Sequence, residues 1–135
     1  MTAILVDSNV LLDLMTEDTH WFSWSAEAVA SAAERFRLVV NPIIYAEVSV
    51  RYSRIEDLEA AIPKAIFDRE PLPYEAAFLA GKSFVAYRQR GGMKRSPLPD
   101  FFIGAHAAIS GYRLLTRDAA RYRTYFPGLS LIAPH

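Results

Sequence analysis

The sequence predicts an α/β domain with a central, mainly parallel sheet of about five strands. Short apolar runs alternate along the chain with segments whose apolar residues recur at helical spacing. An unbroken apolar run is typical of a strand covered by helices on both faces, as in a parallel sheet. The predicted strands are residues 3–6, 37–40, 65–68, 112–116 and 129–132.

Helices are predicted between these strands, and capping residues mark several of their starts. Asp7, Ser8 or Asn9 can each cap the first helix, and Asn41 followed by Pro42 fits the start of the third. Gly91-Gly92 and Gly111 fit helix ends. The predicted helices are 10–15, a second from a possible cap at Thr19 to about Arg35, 42–51, 55–65 with an interruption or end near Pro63-Lys64, 74–90, one from a cap at Ser96 to Gly111, and a short one from a cap at Asp118 to Tyr125.

Large apolar side chains indicate which helix faces point into the core. The aromatic cluster near residue 22 is expected to be core, with a partner-binding surface as the alternative. The long helix at 74–90 is expected to bury one apolar face. These two sets are Trp21, Phe22 and Trp24 in the cluster, and Phe78, Leu79, Val85 and Ala86 in the long helix.

Composition limits the class of protein. The chain has 135 residues, of which 52% are apolar and 22% charged, so it is expected to form a single globular domain over residues 1–135. It contains neither an apolar stretch long enough to span a membrane nor a secretory signal. The absence of cysteine excludes disulfides and thiolate metal sites, and it is compatible with the reducing cytoplasm expected for this protein.

The formal net charge is zero, but the charges are unevenly distributed along the chain. Residues 81–123 contain nine basic residues and only two acidic ones, whereas the remainder contains six basic and thirteen acidic residues. A basic segment of this kind indicates a polyanionic partner, and a solvated charged surface is the alternative interpretation.

Four acidic residues occupy equivalent places in this predicted fold. Asp7 and Asp118 follow strands, Glu47 lies one turn into the helix after another strand, and Asp100 lies in the first turn of a helix. All four positions belong to the edge formed by the carboxyl ends of the strands. Carboxylates brought together raise one another's pKa values, and a hard divalent cation relieves that repulsion. Oxygen ligands favour Mg²⁺ or Mn²⁺, which commonly engage phosphates.

Several titratable residues have simpler interpretations. Glu47 lies on an apolar stripe and is either a site residue or an ion-pair partner of Arg51. His106, in a helix of small residues, is expected to be structural. Asp13 is expected to be solvated, and neither His20 nor His135 is assigned a role.

Four ordered segments resemble the acidic motifs of the PIN-domain ribonucleases. They are Val6-Asp7-Ser8-Asn9-Val10-Leu11-Leu12, Asn41-Pro42 through Glu47, Leu98-Pro99-Asp100-Phe101 through His106-Ala107, and Leu114-Leu115-Thr116-Arg117-Asp118. The segment from Tyr122 to Ile132-Ala133-Pro134 resembles the C-terminus of VapC-type toxins of type II toxin–antitoxin pairs. The resemblance spans essentially the whole chain.

This resemblance implies a PIN-like α/β/α sandwich, usually a homodimer, that cleaves RNA with Mg²⁺ or Mn²⁺ and is inhibited by a cognate antitoxin. Cleavage would leave a 3′-hydroxyl and a 5′-phosphate. Asp7, Glu47, Asp100 and Asp118 would bind metal and catalyse the reaction. Ser8, Asn9 and Thr116 would support the acids. The candidate RNA contacts are Arg88, Arg90, Lys94, Arg95, Arg117 and Arg121.

Two other functions are compatible with parts of the sequence. A protein of this fold can act with its antitoxin as a co-repressor on operator DNA, which would be its only contact with DNA. A phosphatase or phosphoacceptor domain also places an aspartate after its first strand, but Asn9 stands where the phosphatases need a second aspartate. The antitoxin is expected to bind the segment 21–24 or the helix from Ile55.

Overall fold

The computed structural model describes residues 3–92 and 98–135. Their core is a five-stranded sheet, in the order β3-β2-β1-β4-β5, and every pairing is parallel. Helices lie between the strands along the chain, so the predicted α/β class is confirmed. The elements are β1 Ala3–Val6, α1 Ser8–Thr16, α2 Phe22–Arg35, β2 Arg37–Val40, α3 Pro42–Ser49, α4 Ile55–Ala61, β3 Phe67–Arg69, α5 Tyr74–Gln89, α6 Leu98–Ser110, β4 Arg113–Leu115, α7 Ala120–Tyr125 and β5 Leu131–Ile132.

The central strand β1 is buried on both faces. All four of its residues are 0% exposed, as a strand covered by two helical layers requires. Leu5 is in register with Val39 of β2 on one side and with Leu114 of β4 on the other. The ladder continues one residue beyond β1, where the Asp7 N–H donates to the Leu115 carbonyl at 2.9 Å. The backbone of Asp7 is therefore fixed by the sheet.

Two of the predicted helix caps are present at the carboxyl edge of the sheet. The Asp7 carboxylate accepts from the Ser8 N–H and caps α1, and the Asn41 side chain accepts from the Ile44 N–H and caps α3. Pro42 occupies the first turn of α3, where its missing N–H removes no helical hydrogen bond. Both strand-to-helix junctions are thus fixed by local chemistry.

The other predicted caps differ from the structure or lie outside the described residues. Asp18 rather than Thr19 closes the turn before α2, because its Oδ1 accepts from the N–H groups of His20 and Trp21. Helix α7 begins at Ala120, and the Asp118 side chain does not cap it. Ser96, the predicted cap of α6, is outside the described residues.

The boundary between α4 and β3 is shifted from its predicted position. Helix α4 ends at Ala61, two residues before the break predicted near Pro63-Lys64, and β3 covers residues 67–69 instead of 65–68. The Pro63 carbonyl accepts from the N–H groups of Ile66 and Phe67, forming a turn in the intervening residues. The last strand is likewise shorter than predicted, at residues 131–132.

The inward face of α5 was predicted correctly only in part, since Leu79 packs against the core as expected. Phe78 is 69% exposed and Val85 50% exposed, although both were expected to face the core. The buried positions are Ala76, Ala80 and Ser83. Small residues at this spacing let α5 approach α6 closely. The close packing of the two helices determines which face of α5 is buried, although the large apolar side chains lie on another face.

The aromatic cluster at the start of α2 is only partly in the core. Trp24 packs against the core cluster, and the Trp21 ring meets it edge-on at 6.4 Å between centroids. Phe22 is 39% exposed, which contradicts its predicted place in the core. Across the described residues, no helix is both long enough and apolar enough to span a membrane.

Candidate active site

Asp7 is the most buried of the four acids. It follows β1, is 3% exposed, and accepts hydrogen bonds on both carboxylate oxygens. The Ser8 N–H donates to Oδ1 at 2.7 Å, while Thr116 Oγ1 and the Tyr122 hydroxyl donate to Oδ2 at 2.8 and 2.9 Å. Donors from three separate segments therefore hold this carboxylate in one orientation.

Burial raises the pKa of Asp7 from 3.8 to about 6, because the low-dielectric surroundings disfavour its charged form. The hydrogen bonds from Thr116 and Tyr122 oppose this rise, since they stabilise the carboxylate. The charges of Asp100 and Glu47 raise the pKa further. Hydrogen-bond donors thus surround this carboxylate, and among the residues that the structure describes no basic side chain forms an ion pair with it.

Glu47 lies on α3 beside Asp7. The Ser8 hydroxyl donates to its Oε1 at 2.7 Å and also lies 3.5 Å from Asp7 Oδ1, so one serine links the two carboxylates. Glu47 is therefore held by Ser8 rather than by Arg51, the alternative partner considered from the sequence. Burial raises the pKa of Glu47, and the charge of Asp100 raises it further.

Asp100 lies in the first turn of α6, where the helix dipole favours a carboxylate. Arg121 of α7 donates through Nη1 to its Oδ2 at 2.7 Å. Burial raises the pKa of Asp100, the Arg121 contact lowers it, and the charge of Asp118 raises it again. Asp118 itself is exposed, in the connection between β4 and α7. The charge of Asp100 thus raises the pKa values of Asp7 and Glu47, and the charge of Asp118 raises the pKa of Asp100.

The donor set of this site suits a hard divalent cation. It consists of carboxylates, whose repulsion and burial a cation would relieve. Within residues 3–92 and 98–135, however, no three acidic or histidine side chains lie close enough to form a ready-made metal centre. Arg121 occupies one oxygen of Asp100 in this arrangement. The residues therefore fit such an ion chemically.

Comparison with known proteins identifies the family. The sequence model of the PIN domain matches residues 4–127, which cover the sheet from β1 to β4 and all the acids described above. The chain belongs to the PIN domain family. A comparison with functionally curated proteins gives no significant match.

Solved structures of toxin–antitoxin complexes share the fold of this PIN domain. VapBC2 of Rickettsia felis, bound to a DNA fragment from its promoter, matches with a TM-score of 0.74 and 14% identity over 98% of each chain. VapBC-1 of nontypeable Haemophilus influenzae gives 0.73 and 19% over 98% of each chain. A toxin–antitoxin complex from Klebsiella pneumoniae gives 0.69 and 22% over 98% of each chain.

The residues predicted to support the acids lie beside them in the PIN domain. Ser8 contacts both Asp7 and Glu47, and Thr116 donates to Asp7. Asn9 Nδ2 lies 3.4 Å from Thr116 Oγ1, and its Oδ1 accepts from the Arg117 N–H at 3.2 Å. These three side chains thus connect the end of β1 with the end of β4.

Sequence reasoning missed Tyr122 as a residue of this site, and it predicted Arg121 only as a candidate RNA contact and not as a partner of Asp100. Tyr122, 2% exposed, donates its hydroxyl to Asp7, and Arg121 pairs with Asp100. Both come from α7, whose short and mostly polar sequence gives no signal that it turns toward the first strand. From the sequence alone, a tyrosine four residues after Asp118 is interpreted as an ordinary core aromatic, because the sequence does not show where its hydroxyl points.

Asp13 was predicted to be solvated, and this is wrong. It is 2% exposed and accepts two hydrogen bonds from Arg117, at 2.8 and 2.9 Å, and a third from Ser25 Oγ at 2.7 Å. The spacing of six residues from Asp7 correctly places Asp13 away from the acids, but it does not reveal that a basic residue from the segment after β4 pairs with it.

The predicted RNA contacts occupy different surroundings. Arg117 is engaged by Asp13 and Arg121 by Asp100, so both make ion pairs within the chain. Arg88 and Arg90 are exposed near the end of α5, where their guanidinium groups lie over the rings of Phe84 and Tyr125, respectively. Lys94 and Arg95 lie outside the described residues.

His106 has the structural environment that was predicted for it. It is fully buried, and its Nδ1 accepts from Asn41 Nδ2 at 2.9 Å. Burial lowers the pKa of His106, so the ring is neutral near neutral pH. Its partner Asn41 is the cap of α3, and the contact thereby ties α6 to the start of the helix that carries Glu47.

Proposed function

We propose that this PIN-domain protein is a Mg²⁺- or Mn²⁺-dependent endoribonuclease and the VapC-type toxin of a type II toxin–antitoxin pair. One arrangement supports the proposal: in a PIN domain, Ser8 links Asp7 to Glu47 at the carboxyl edge of the sheet, and Asp100 and Asp118 are near enough for their charges to raise pKa values within the same set of acids. These acids come from four distant segments. Helix capping accounts for Asp7 but not for the other three.

The acids would hold the metal ion, with Asp7 and Asp100 as main ligands and Glu47 and Asp118 completing the site or holding a second ion. The bound ion would activate water and neutralise the charge that develops on the phosphate. Ser8, Thr116 and Tyr122 orient Asp7 and favour its ionised form by donating hydrogen bonds to it. Arg121, which pairs with Asp100, places a guanidinium group in this site, and guanidinium groups bind phosphate.

Substrate and partners follow from the sequence resemblance and the structural neighbours. RNA is the proposed substrate, and the exposed Arg88 and Arg90 are proposed to contact its backbone without sequence preference. An inhibitory antitoxin and a homodimeric, cytoplasmic state are part of the proposal. Phe22, 39% exposed, and Ile55, 64% exposed, support the two surfaces predicted for the antitoxin.

The test is cleavage of labelled RNA by the purified protein. We expect cleavage with Mg²⁺ or Mn²⁺, loss of cleavage in excess chelator, and products with a 3′-hydroxyl and a 5′-phosphate. Asp7→Asn and Asp100→Asn should abolish cleavage with the fold retained by circular dichroism, while Asp57→Asn on the exposed face of α4 should not. Full activity in both site variants, or in chelator, would refute the assignment.

A second function is favoured by the DNA-bound structural neighbours. The VapBC2 structure from R. felis contains a DNA fragment from its promoter, and a FitAB structure contains an IR36 DNA fragment. We propose that this chain also joins an antitoxin on operator DNA as a co-repressor. A gel-shift assay should show tighter operator binding by the pair than by the antitoxin alone, and an unchanged shift would exclude this role.

A further inference from the structure

The ion pair between Asp13 and Arg117 joins α1 to the segment that follows β4. Arg117 lies between Thr116, which donates to Asp7, and Asp118. Its Nε and Nη2 donate to the two carboxylate oxygens of Asp13 at 2.8 and 2.9 Å. A contact with two parallel hydrogen bonds fixes the orientation of the guanidinium as well as its position.

The carboxylate of this pair is withdrawn from water, whereas the Arg117 side chain is 29% exposed. Asp13 is 2% exposed and is also bound by Ser25, and the Trp21 ring covers the guanidinium, whose central carbon lies 5.3 Å from the ring centroid. A buried charge that loses its partner is strongly unfavourable. The segment therefore cannot move away from α1 without leaving the Asp13 carboxylate unpaired in the interior.

A second contact from α1 reaches the main chain of the same residue. Asn9 and Asp13 are four residues apart and share one face of the helix. Asn9 Oδ1 accepts from the Arg117 N–H at 3.2 Å, while Asp13 binds the Arg117 side chain. Helix α1 thus binds residue 117 through its backbone and through its side chain at once.

We propose that the Asp13–Arg117 pair is a positioning element of the active site. It holds the segment 116–118 so that Thr116 donates to Asp7 and Asp118 stays within electrostatic range of Asp100. Asp13 and Arg117 act through these neighbours and are positioning residues rather than catalytic ones. The catalytic consequence of the pair rests on the proposed function, whereas its structural consequence does not.

The test compares two arginine–carboxylate ion pairs, of which only the Asp13–Arg117 pair adjoins the four acids. Asp13→Asn keeps the shape of the side chain and removes its charge. Glu59→Gln is the matched control, because Glu59 of α4 receives two hydrogen bonds from Arg69, at 2.8 and 3.1 Å, away from the four acids. We expect Asp13→Asn to lower kcat for RNA cleavage by ~10- to 100-fold with KM unchanged, as displaced catalytic groups do. Glu59→Gln should leave kcat unchanged.

A readout independent of catalysis is the amide NMR spectrum. Asp13→Asn should shift the backbone amide resonances of Asn9, Thr116, Arg117 and Asp118, while Glu59→Gln should leave them in place. Arg117→Lys keeps the charge but loses the contact with two hydrogen bonds, so it should shift the same amide resonances. If Asp13→Asn does not fold, this second variant tests the positioning role.

Unshifted amides at 116–118, or an equal fall of kcat in Glu59→Gln, would overturn the positioning role. A wild-type protein without ribonuclease activity would refute the proposed function alone, because the amide shifts would still test the pair.

Discussion

Asp7 combines a deeply buried carboxylate with a set of donors that keeps it oriented. Its raised pKa means that the folded protein holds a proton there more tightly than the unfolded chain does. Above pH 6 the carboxylate must ionise inside the fold, and its ionisation opposes folding. Functional sites commonly retain such unfavourable groups, and the surrounding structure offsets their cost.

The stability of the protein should therefore fall as pH rises from about 4 to about 6, through the range between the unfolded and folded pKa values of Asp7. The full cost, ~3 kcal/mol for a pKa raised from 3.8 to about 6, applies above that range. Asp7→Asn should remove this cost and unfold at a higher temperature than wild type at pH 7. At pH 4 the two proteins should differ little. Thermal denaturation monitored by circular dichroism at both pH values, with Asp57→Asn as control, measures the difference. A lower melting temperature for Asp7→Asn at pH 7 would contradict it.

The Tyr122 hydroxyl should tune the ionisation of Asp7. Its hydrogen bond lowers the pKa of Asp7, so Tyr122→Phe should raise that pKa further. Because the ionised carboxylate is the form that binds a cation, the acidic limb of the pH–activity profile should move to higher pH. The measurement is initial cleavage rate against pH for wild type and Tyr122→Phe. An acidic limb at the wild-type pH, with the hydroxyl removed, would show that Tyr122 only packs.

At the scale of elements, the contact between α6 and α7 determines where Tyr122 lies. Gly104 is buried on α6 at the place where the two helices meet. A Cβ on Gly104 would lie 2.6 Å from the Phe126 ring, closer than real Cβ atoms approach, and 3.1 Å from the Tyr122 ring, which is a tight contact. The lack of a side chain at 104 thus allows α7 to bring both Arg121 and Tyr122 to the acids.

Gly104→Ala should therefore destabilise the protein by ~1–3 kcal/mol, the usual cost of overpacking, and should reduce cleavage by displacing Tyr122. Gly81→Ala on α5 is the matched control, since a Cβ there has no heavy atom within 4 Å. That substitution should stabilise the helix by ~0.5–1 kcal/mol. Urea denaturation of both variants measures the two changes. Equal stability in the two alanine variants would show that the helices shift freely to accept the methyl group.

Features that depend on residues adjacent in sequence could be predicted, whereas features that depend on tertiary contacts could not. Asp7 and the pair Asn41-Pro42 cap their helices as predicted, because a cap depends on residues next to it in sequence. The face of α5 was not predictable in this way. Phe78 and Val85 have the stronger apolar character, but the close approach of α6 selects the alanine face instead.

At the scale of the whole molecule, the site is a junction between distant parts of the chain. Parallel topology brings the carboxyl ends of the strands to one edge of the sheet. The positions of the four acids in the fold could therefore be predicted from the order of strands and helices. The network around them could not be predicted. Tyr122, Arg121 and the Asp13–Arg117 pair depend on where α7 and the residues before it pack, and no local pattern in the sequence encodes that.

A divalent cation should stabilise the folded protein as a whole. It would bind the folded site and not the unfolded chain, adding ~2.7 kcal/mol when its concentration is about a hundred times its dissociation constant. We expect MgCl₂ or MnCl₂ to raise the melting temperature of wild type at pH 7 and to have no such effect on Asp7→Asn. NaCl at matched ionic strength controls for screening. An equal rise in the variant would place the ion elsewhere.

The long sequence separation of the contacts to Asp7 governs when activity can appear. Thr116 and Tyr122 are 109 and 115 residues from Asp7. Their hydrogen bonds therefore form only after nearly all of the PIN domain, residues 4–127, has been ordered. Contacts of such separation form late and slowly, because the entropy of closing the loop is lost before any contact compensates for it. A nascent chain that has reached α3 contains Asp7, Ser8 and Glu47 but lacks Asp100, Thr116, Asp118 and Tyr122. For the proposed ribonuclease, synthesis of the enzyme is therefore separated in time from cleavage of the RNA around it.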